Sequence, residues 1–252
     1  MYKISANTLF TGQRLIFVPE CHSTNSLAAA LTAQGGLTEG AVVITANQTA
    51  GRGQRGNAWE AEAGLNLTFS VVLHPSFLTV GNQFFLTIIT SLALSDTLKE
   101  YSVHGTKIKW PNDVMAGQKK ICGILIENVI RQNAIQQSIV GIGLNVNQRS
   151  FSVPTATSLS LELSQEFDQN EVLNFLLAHL ERRYLQLRGG KRDALKEEYI
   201  QNLFGFHLPL TFTTREKKFT GIIEDVNENG QLVVSADGQW LAFNLKEIGV
   251  AW

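Results

Sequence analysis

The sequence predicts an α+β protein: a large domain of mixed β-sheet flanked by helices, followed by a small C-terminal SH3-like β-barrel. Three observations carry this. Apolar runs of strand period and of helix period alternate as far as Gly205. Helical periodicity then stops. Short strand-like runs separated by turn residues fill the rest of the chain. The boundary is expected near Gly205, dividing the chain into residues 1–205 and 206–252.

The elements follow in order. Ala41-Val42-Val43-Ile44-Thr45 is a β-branched apolar run, expected as a buried strand. Leu65, Leu67, Phe69, Val71 and Leu73 alternate with Asn66, Thr68 and Ser70, which predicts a half-buried strand. From Asn82 to about Glu100 the period is helical, with Phe85, Ile88, Ile89 and Leu92 on one face. Lys120 to Val129 and Ile135 to Val146 predict two strands, joined by a hairpin turn at Arg131-Gln132-Asn133. Val172 to Leu187 is amphipathic at helical spacing and stops at Gly189-Gly190. A shorter helix is expected over Arg192 to Leu203. Beyond it, Leu208 to Thr213, Lys218 to Val226, Gln231 to Ser235 and Trp240 to Phe243 predict barrel strands. Asn227-Glu228-Asn229-Gly230 and Asp237-Gly238 mark turns between them.

Composition excludes several classes. Hydrophobic residues make up 44% and charged residues 17% of the chain, a globular mix. The net charge of −1 gives no chain-wide electrostatic case for a nucleic-acid partner. No apolar run reaches the roughly 18 residues of a membrane helix, so no membrane partner is expected. Met1-Tyr2-Lys3-Ile4-Ser5-Ala6-Asn7 lacks the apolar core of a signal peptide. Cys21 and Cys122 have no metal-ligand spacing. A reducing cytoplasm is the expected compartment.

Two segments carry chemistry. Gly51-Arg52-Gly53-Gln54-Arg55-Gly56 has the GxGxxG spacing of a dinucleotide loop and a strand before it. The helix that such a loop must open is absent: Asn57 to Gly64 leads straight into another strand. No Gly-Lys-Ser/Thr follows, which excludes a Walker loop. What remains is a glycine-rich loop between strands with two arginines, suited to turn N–H groups and guanidinium forks toward an anion. The alternative is a mobile, solvated hairpin loop. The second segment is Lys109-Trp110-Pro111-Asn112-Asp113, followed by Lys119-Lys120-Ile121-Cys122-Gly123. Its lysines can neutralise phosphate, and its aspartate can hold Mg²⁺ or steer a lysine. The alternative is a Pro-Asn turn with surface lysines.

Taken in order, these blocks resemble the biotin protein ligases. Ser23-Thr24-Asn25 is similar to that family's early Ser-Thr-Asn segment, and Gln48 with Gly51-Arg52-Gly53 to its glutamine and glycine-arginine loop. Trp59, Lys109 to Asp113, Lys120 with Gly123, and Gly141-Ile142-Gly143-Leu144-Asn145-Val146 resemble its remaining blocks. The resemblance implies a class II synthetase-like catalytic domain. It implies ATP-dependent formation of biotinyl-5′-AMP, with Mg²⁺, and transfer of biotin to a lysine of a biotin carboxyl carrier domain. It leaves room for a homodimer. A winged helix-turn-helix domain, as in the family's repressors, is not expected, since only 22 residues precede Ser23.

The resemblance also implies roles. Lys120, Arg52 and Lys109 are the expected catalytic residues. Ser23, Thr24, Asn25, Gln48, Gly51, Arg52, Gly53, Gln54, Lys120 and Gly123 are expected around biotin. Arg55, Trp59, Lys109, Asn112, Asp113 and Asn145 are expected around the nucleotide, with Asp113 the candidate Mg²⁺ ligand. Glu127 reads as a strand-end carboxylate rather than a base. Some lipoyl-transferring relatives of this fold pass the acyl group through a cysteine, but Cys122 lies on an apolar strand and reads as a small buried hydrophobe. The chain departs from the pattern at Gln54, where many members have an arginine that helps retain the adenylate. Arg55 is the neighbouring substitute.

Overall fold

The computed structural model describes Tyr2 and residues 7–250, apart from the side chain of Arg55. Most of the N-terminal run and the expected nucleotide contact of Arg55 therefore lie outside the described residues.

The first element is β1 (Leu15–Cys21), an edge strand containing Pro19. Proline is tolerated there because an edge strand leaves one row of N–H groups without ladder partners. The helix α1 (Thr24–Ala33) follows directly, with Ser23 at its N-cap position. Next come β2 (Val42–Gln48) and β3 (Leu67–Leu73), with the glycine-arginine loop between them. The helix α2 (Phe84–Glu100) leads to β4 (Thr106–Lys109), β5 (Asp113–Ala116), β6 (Lys119–Arg131) and β7 (Ala134–Leu144). The turn between β6 and β7 has positive φ at Gln132 and Asn133 (49° and 63°), the geometry a tight two-residue hairpin requires. Three helices follow: α3 (Leu159–Leu163), α4 (Gln169–Arg188) and α5 (Arg192–Gln201).

These strands form one seven-stranded sheet in the order β1-β2-β3-β7-β6-β5-β4. The β1–β2 pair is parallel and the other pairs are antiparallel, so the sheet is mixed. The predicted class therefore stands. The C-terminal strands β8 (Pro209–Thr213), β9 (Lys218–Val226), β10 (Leu232–Ala236), β11 (Gln239–Phe243) and β12 (Gly249–Val250) make a separate antiparallel sheet in the order β11-β10-β9-β8-β12.

Two expectations change in detail. The alternation of β3 suggests a half-buried strand, yet all seven residues are buried. Its odd positions, Leu67, Phe69, Val71 and Leu73, face the main core. On the other face Val72 packs in a second cluster with Ala28 of α1, Val43 and Ile139. Thr68 and Ser70 on that same face turn into a polar interior rather than water, and that interior is the candidate site. Likewise α2 is not one-sided. Twelve of its seventeen residues are buried, because it lies between the sheet and helices α4 and α5. Its buried hydroxyls at Thr90 and Thr97 donate to carbonyls one turn back, which removes their desolvation penalty. Arg183 of α4 locks the three helices together, donating to Asp96 of α2 and Glu198 of α5 at 2.6–3.0 Å.

The main core continues into the C-terminal sheet. Phe212, Ile223, Val226, Leu232, Val234 and Ile248 belong to the same apolar cluster as the faces of β3 and α2. Lys196 of α5 also pairs with Asp225 of β9 at 3.0 Å. The small sheet is thus seated on the large one, and a cavity lies where they meet.

Candidate active site

Strand register builds the floor of this cavity. Thr45, Thr68, Gly143, Gly123, Asp113 and Lys109 are successive cross-strand partners on β2, β3, β7, β6, β5 and β4. One lateral row therefore runs from small and glycine residues to a lysine and an aspartate. The next row on the same face pairs Val43, Ser70, Gly141 and Leu125. The glycines are there for room. A Cβ on Gly141 would overlap the Asn25 amide, and one on Gly143 would overlap the Trp59 indole.

Beside this floor lies a buried polar network at the start of α1. Gln48 at the end of β2 accepts through Oε1 from the Thr24 N–H at 2.8 Å and the Thr24 hydroxyl at 3.2 Å. Ser70 Oγ lies 2.6 Å from Asn25 Oδ1 and 2.8 Å from Thr24 Oγ1. Asn25 in turn donates to the Leu125 carbonyl at 3.2 Å and to Glu127 Oε2 at 2.8 Å. Ser23, Thr24, Asn25 and Ser70 are all buried. Such hydroxyls and amides, fixed against one another, present a prearranged polar wall to a ligand.

The glycine-arginine loop closes over the floor as a small hairpin. Gly53 N–H donates to Asn57 O at 2.6 Å and Trp59 N–H to Gly51 O at 3.0 Å, while Arg52 bridges Ala58. Gly51 packs so closely on the Trp59 carbonyl that a Cβ would overlap it. Arg52 pairs with Glu127 at 2.7 Å. Glu127 is therefore not at a strand end. It is the ninth of thirteen residues in β6, and its carboxylate holds this arginine. Trp59 lies on the glycine floor, with its Nε1 buried and lacking a hydrogen-bond partner.

The charged end of the floor is a hairpin. Lys109 pairs with Asp113 across the β4–β5 turn, which contains a cis Trp110–Pro111 bond. Asn112 braces this turn by donating to the Ile124 carbonyl at 2.6 Å. Lys120 Nζ lies 2.7 Å from Asp113 Oδ1 and 5.6 Å from the centre of the Trp59 ring. The backbone of Lys120 is gripped from outside the sheet: its N–H donates to Thr155 O at 2.7 Å, and its carbonyl accepts from Thr157 N–H at 2.9 Å. Burial pushes the Lys109 ammonium below its usual value; the Asp113 charge opposes this, and the nearby Lys120 charge adds to it. Cys122 is fully buried beneath, and burial raises its thiol well above the usual range. Burial of this kind disfavours the thiolate that acyl transfer would need.

The resulting cavity holds about 350 Å³, within the range of small-molecule sites. Among the described residues four cations line it, Arg52, Lys109, Lys120 and Lys246, against one carboxylate, Asp113. It is built to gather anions. The C-terminal sheet closes one side with Phe212, Ile223, Leu232 and Ile248. Trp110 fastens the two parts, donating from Nε1 to the Gly230 carbonyl at 3.0 Å.

Of the residues expected from sequence, Ser23, Thr24, Asn25, Gln48, Arg52, Gly53, Gln54, Trp59, Lys109, Asn112, Asp113, Lys120 and Gly123 meet around this cavity. Gly51 and Asn145 are not part of the lining. Gly51 packs within the loop against the Trp59 carbonyl. Asn145 is buried beside Lys120, donating to the Thr157 carbonyl at 2.9 Å. Sequence reasoning passed over Ser70, the Thr155–Thr157 clamp, Trp110 and Lys246. Ser70 carried a signal, as a polar residue inside an apolar strand; the others depend on contacts between distant segments. Among the described residues no three His, Cys, Asp or Glu side chains converge as a metal site. Asp113 alone is no cage, so a divalent cation would need ligands from a nucleotide.

A family model described as the biotin/lipoate A/B protein ligase family matches residues 18–145. The chain belongs to that family. It is 33% identical over 240 residues to the bifunctional ligase/repressor BirA of Bacillus subtilis, covering 93% of this chain and 73% of that protein. It is 30% identical over 242 residues to the biotin–acetyl-CoA-carboxylase ligase of Mycobacterium tuberculosis, covering 94% and 88%. Among solved structures it resembles a biotin protein ligase from Aquifex aeolicus in complex with biotin and ATP. There the identity is 25%, the TM-score 0.79, and the coverage 95% of this chain and 99% of that one.

Proposed function

We infer that this chain is a biotin protein ligase that makes biotinyl-5′-AMP from biotin and ATP and transfers biotin to a lysine of a carboxyl carrier domain. The observation that carries this is the cavity: a glycine floor beside a buried polar wall, with four cations against one carboxylate among the described residues. Relatives that are biotin–acetyl-CoA-carboxylase ligases support a carboxylase carrier domain as the acceptor. Among the described residues no helix is long and apolar enough to cross a membrane.

The chemistry brings two anions together. A carboxylate oxygen of biotin attacks the α-phosphorus of ATP, and the bond to the β-phosphate oxygen breaks as pyrophosphate leaves. Fixed cations in a confined cleft stabilise the charge that builds on the α-phosphate. Lys120 would sit between carboxylate and α-phosphate, with Lys109 facing the phosphates. Ser23, Thr24, Asn25 and Gln48 would hold the biotin head against the polar wall. Gly51 to Gln54 would fold over it, above Gly123. Trp59, now on the floor, would stack on adenine once a ligand takes its place. Asn112 and Asn145 would brace the walls of the nucleotide side, and Arg55 keeps the nucleotide role that the resemblance implies. Mg²⁺ would come with the ATP phosphates, and Asp113 would be the carboxylate to meet it. In the second step the acceptor amine attacks the mixed-anhydride carbonyl, losing a proton as AMP leaves. We assign the two steps to residues 1–205 and the closing side wall to residues 206–252.

The test is mass spectrometry of a carboxyl carrier domain incubated with the chain, ATP, Mg²⁺ and biotin. The expected result is one biotinyl group on one lysine. Lipoate or octanoate in place of biotin should add nothing. Modification by those acids and not by biotin would overturn the reading.

A further inference from the structure

Glu127 stands outside the cavity lining, yet one of its oxygens organises two parts of the site. Oε2 accepts from Arg52 Nη2 at 2.7 Å and from Asn25 Nδ2 at 2.8 Å. Neither geometry is accidental. Asn25 is 2% exposed, and Ser70 fixes its amide orientation by occupying Oδ1. Its NH₂ group is thereby directed at β6. Glu127 itself is held in register in the middle of β6, opposite Ile139. The Glu127 backbone is therefore a fixed point on the sheet, and Asn25 anchors its carboxylate.

Arg52, by contrast, sits on a loop. The hairpin closes on itself through the Gly53–Asn57 and Gly51–Trp59 hydrogen bonds, which join it to Trp59 as one unit. Among the described ion pairs, Arg52–Glu127 is the one that ties this hairpin to the sheet. The pair is close to half exposed, with side-chain exposures of 45% and 41%. In water such a pair contributes little. A ligand beneath the hairpin excludes water and strengthens it. An arginine has five N–H donors, so Arg52 can keep its hold on Glu127 while turning others to an anion.

We propose that Glu127 is a positioning residue that clips the glycine-arginine hairpin onto the sheet, so that closure over biotin and retention of the adenylate depend on it through Arg52. The proposal rests on the reading that this hairpin closes over the ligand. The test is a double-mutant cycle on the full chain with Glu127→Gln and Arg52→Ala, reading biotin affinity and adenylate dissociation, with melting curves as the fold control. Glu127→Gln should weaken biotin binding and speed adenylate release by about three- to ten-fold, the range between an exposed and a shielded charge pair. The same substitution in the Arg52→Ala background should change neither by more than about two-fold. The wild-type advantage should shrink as salt is raised, which a packing role would not show. Glu127→Ala must give the same coupling to Arg52. Additive effects, or a Glu127→Gln protein that binds and retains as wild type, would overturn the role of Glu127. If Arg52→Ala alone changes neither quantity, the reading of the hairpin itself fails.

Discussion

Lys120→Ala tests the centre of the site. Two contacts flank the ammonium and a third holds its backbone. Asp113 lies 2.7 Å from Nζ, the Trp59 ring 5.6 Å away, and the backbone is gripped by Thr155 and Thr157. A donor fixed in advance needs no reorganisation when charge develops on the α-phosphate. Losing such a donor costs about 2.7–4 kcal/mol, or about 10²–10³ in rate. Deletion has a second effect. Asp113 is left without its cation in a cavity that must receive two anions, and it then repels them. Adding Asp113→Asn to Lys120→Ala should therefore recover part of the loss, up to about five-fold, the rate equivalent of the roughly 1 kcal/mol between two charges 4 Å apart in water. The assay is biotin-dependent exchange of labelled pyrophosphate into ATP, with melting curves to verify the fold. A Lys120→Ala protein within about ten-fold of wild type would refute the role assigned to the ammonium. A further loss on adding Asp113→Asn would mean that this carboxylate serves Mg²⁺ more than it repels the anions, and would refute the argument about the stranded carboxylate.

The hairpin from Thr49 to Ala63 should exchange amide hydrogens more slowly with biotin bound than without it; equal exchange would count against closure. Lys109 yields a prediction with a definite sign. Its free-site value is depressed by burial, and phosphate should raise it again, so ATP binding should take up protons on the alkaline side of neutrality. Calorimetry in buffers of different ionisation heat should detect this uptake and lose it in Lys109→Gln; proton release instead would reverse the assignment. Trp110→Phe removes the hydrogen bond to the Gly230 carbonyl, worth about 0.5–1.5 kcal/mol. It should raise the KM for ATP several-fold and leave biotin affinity in place, and the opposite pattern would place the C-terminal sheet on the biotin side. Gln54 lines the cavity without a charge. Gln54→Arg should slow adenylate dissociation by about ten-fold or more, and Arg55→Ala should speed it; an unchanged rate in Arg55→Ala would mean that Arg55 does not replace the missing arginine.

How much of this was legible before folding depends on where each signal sits in the chain. Long apolar runs at strand or helix spacing announce β3, α2, β6, β7 and α4. The strand β1 and the helix α1 gave no such signal. Pro19 interrupts the first, and the second is a short alanine-rich stretch. The short strands β4 and β5, four residues each, are too brief to show a period. Within the site, Lys109, Asp113 and Lys120 were visible because they cluster in sequence. Glu127 was set aside because its meaning comes from partners 75 and 102 residues away. The most instructive case is Ser70. Read locally, Thr68 and Ser70 are the solvent side of an amphipathic strand. That reading has the right alternation and the wrong medium: the polar face meets the start of α1 instead of water. Alternation reports which residues share a face, and only the rest of the fold decides what that face touches. A polar stripe on a strand that lies beside glycine-bearing strands, as Gly141, Gly143 and Gly123 do here, is thus better read as a binding floor than as a surface. Glycine has no side chain with which to protect an exposed face, but it leaves room for a ligand on a covered one.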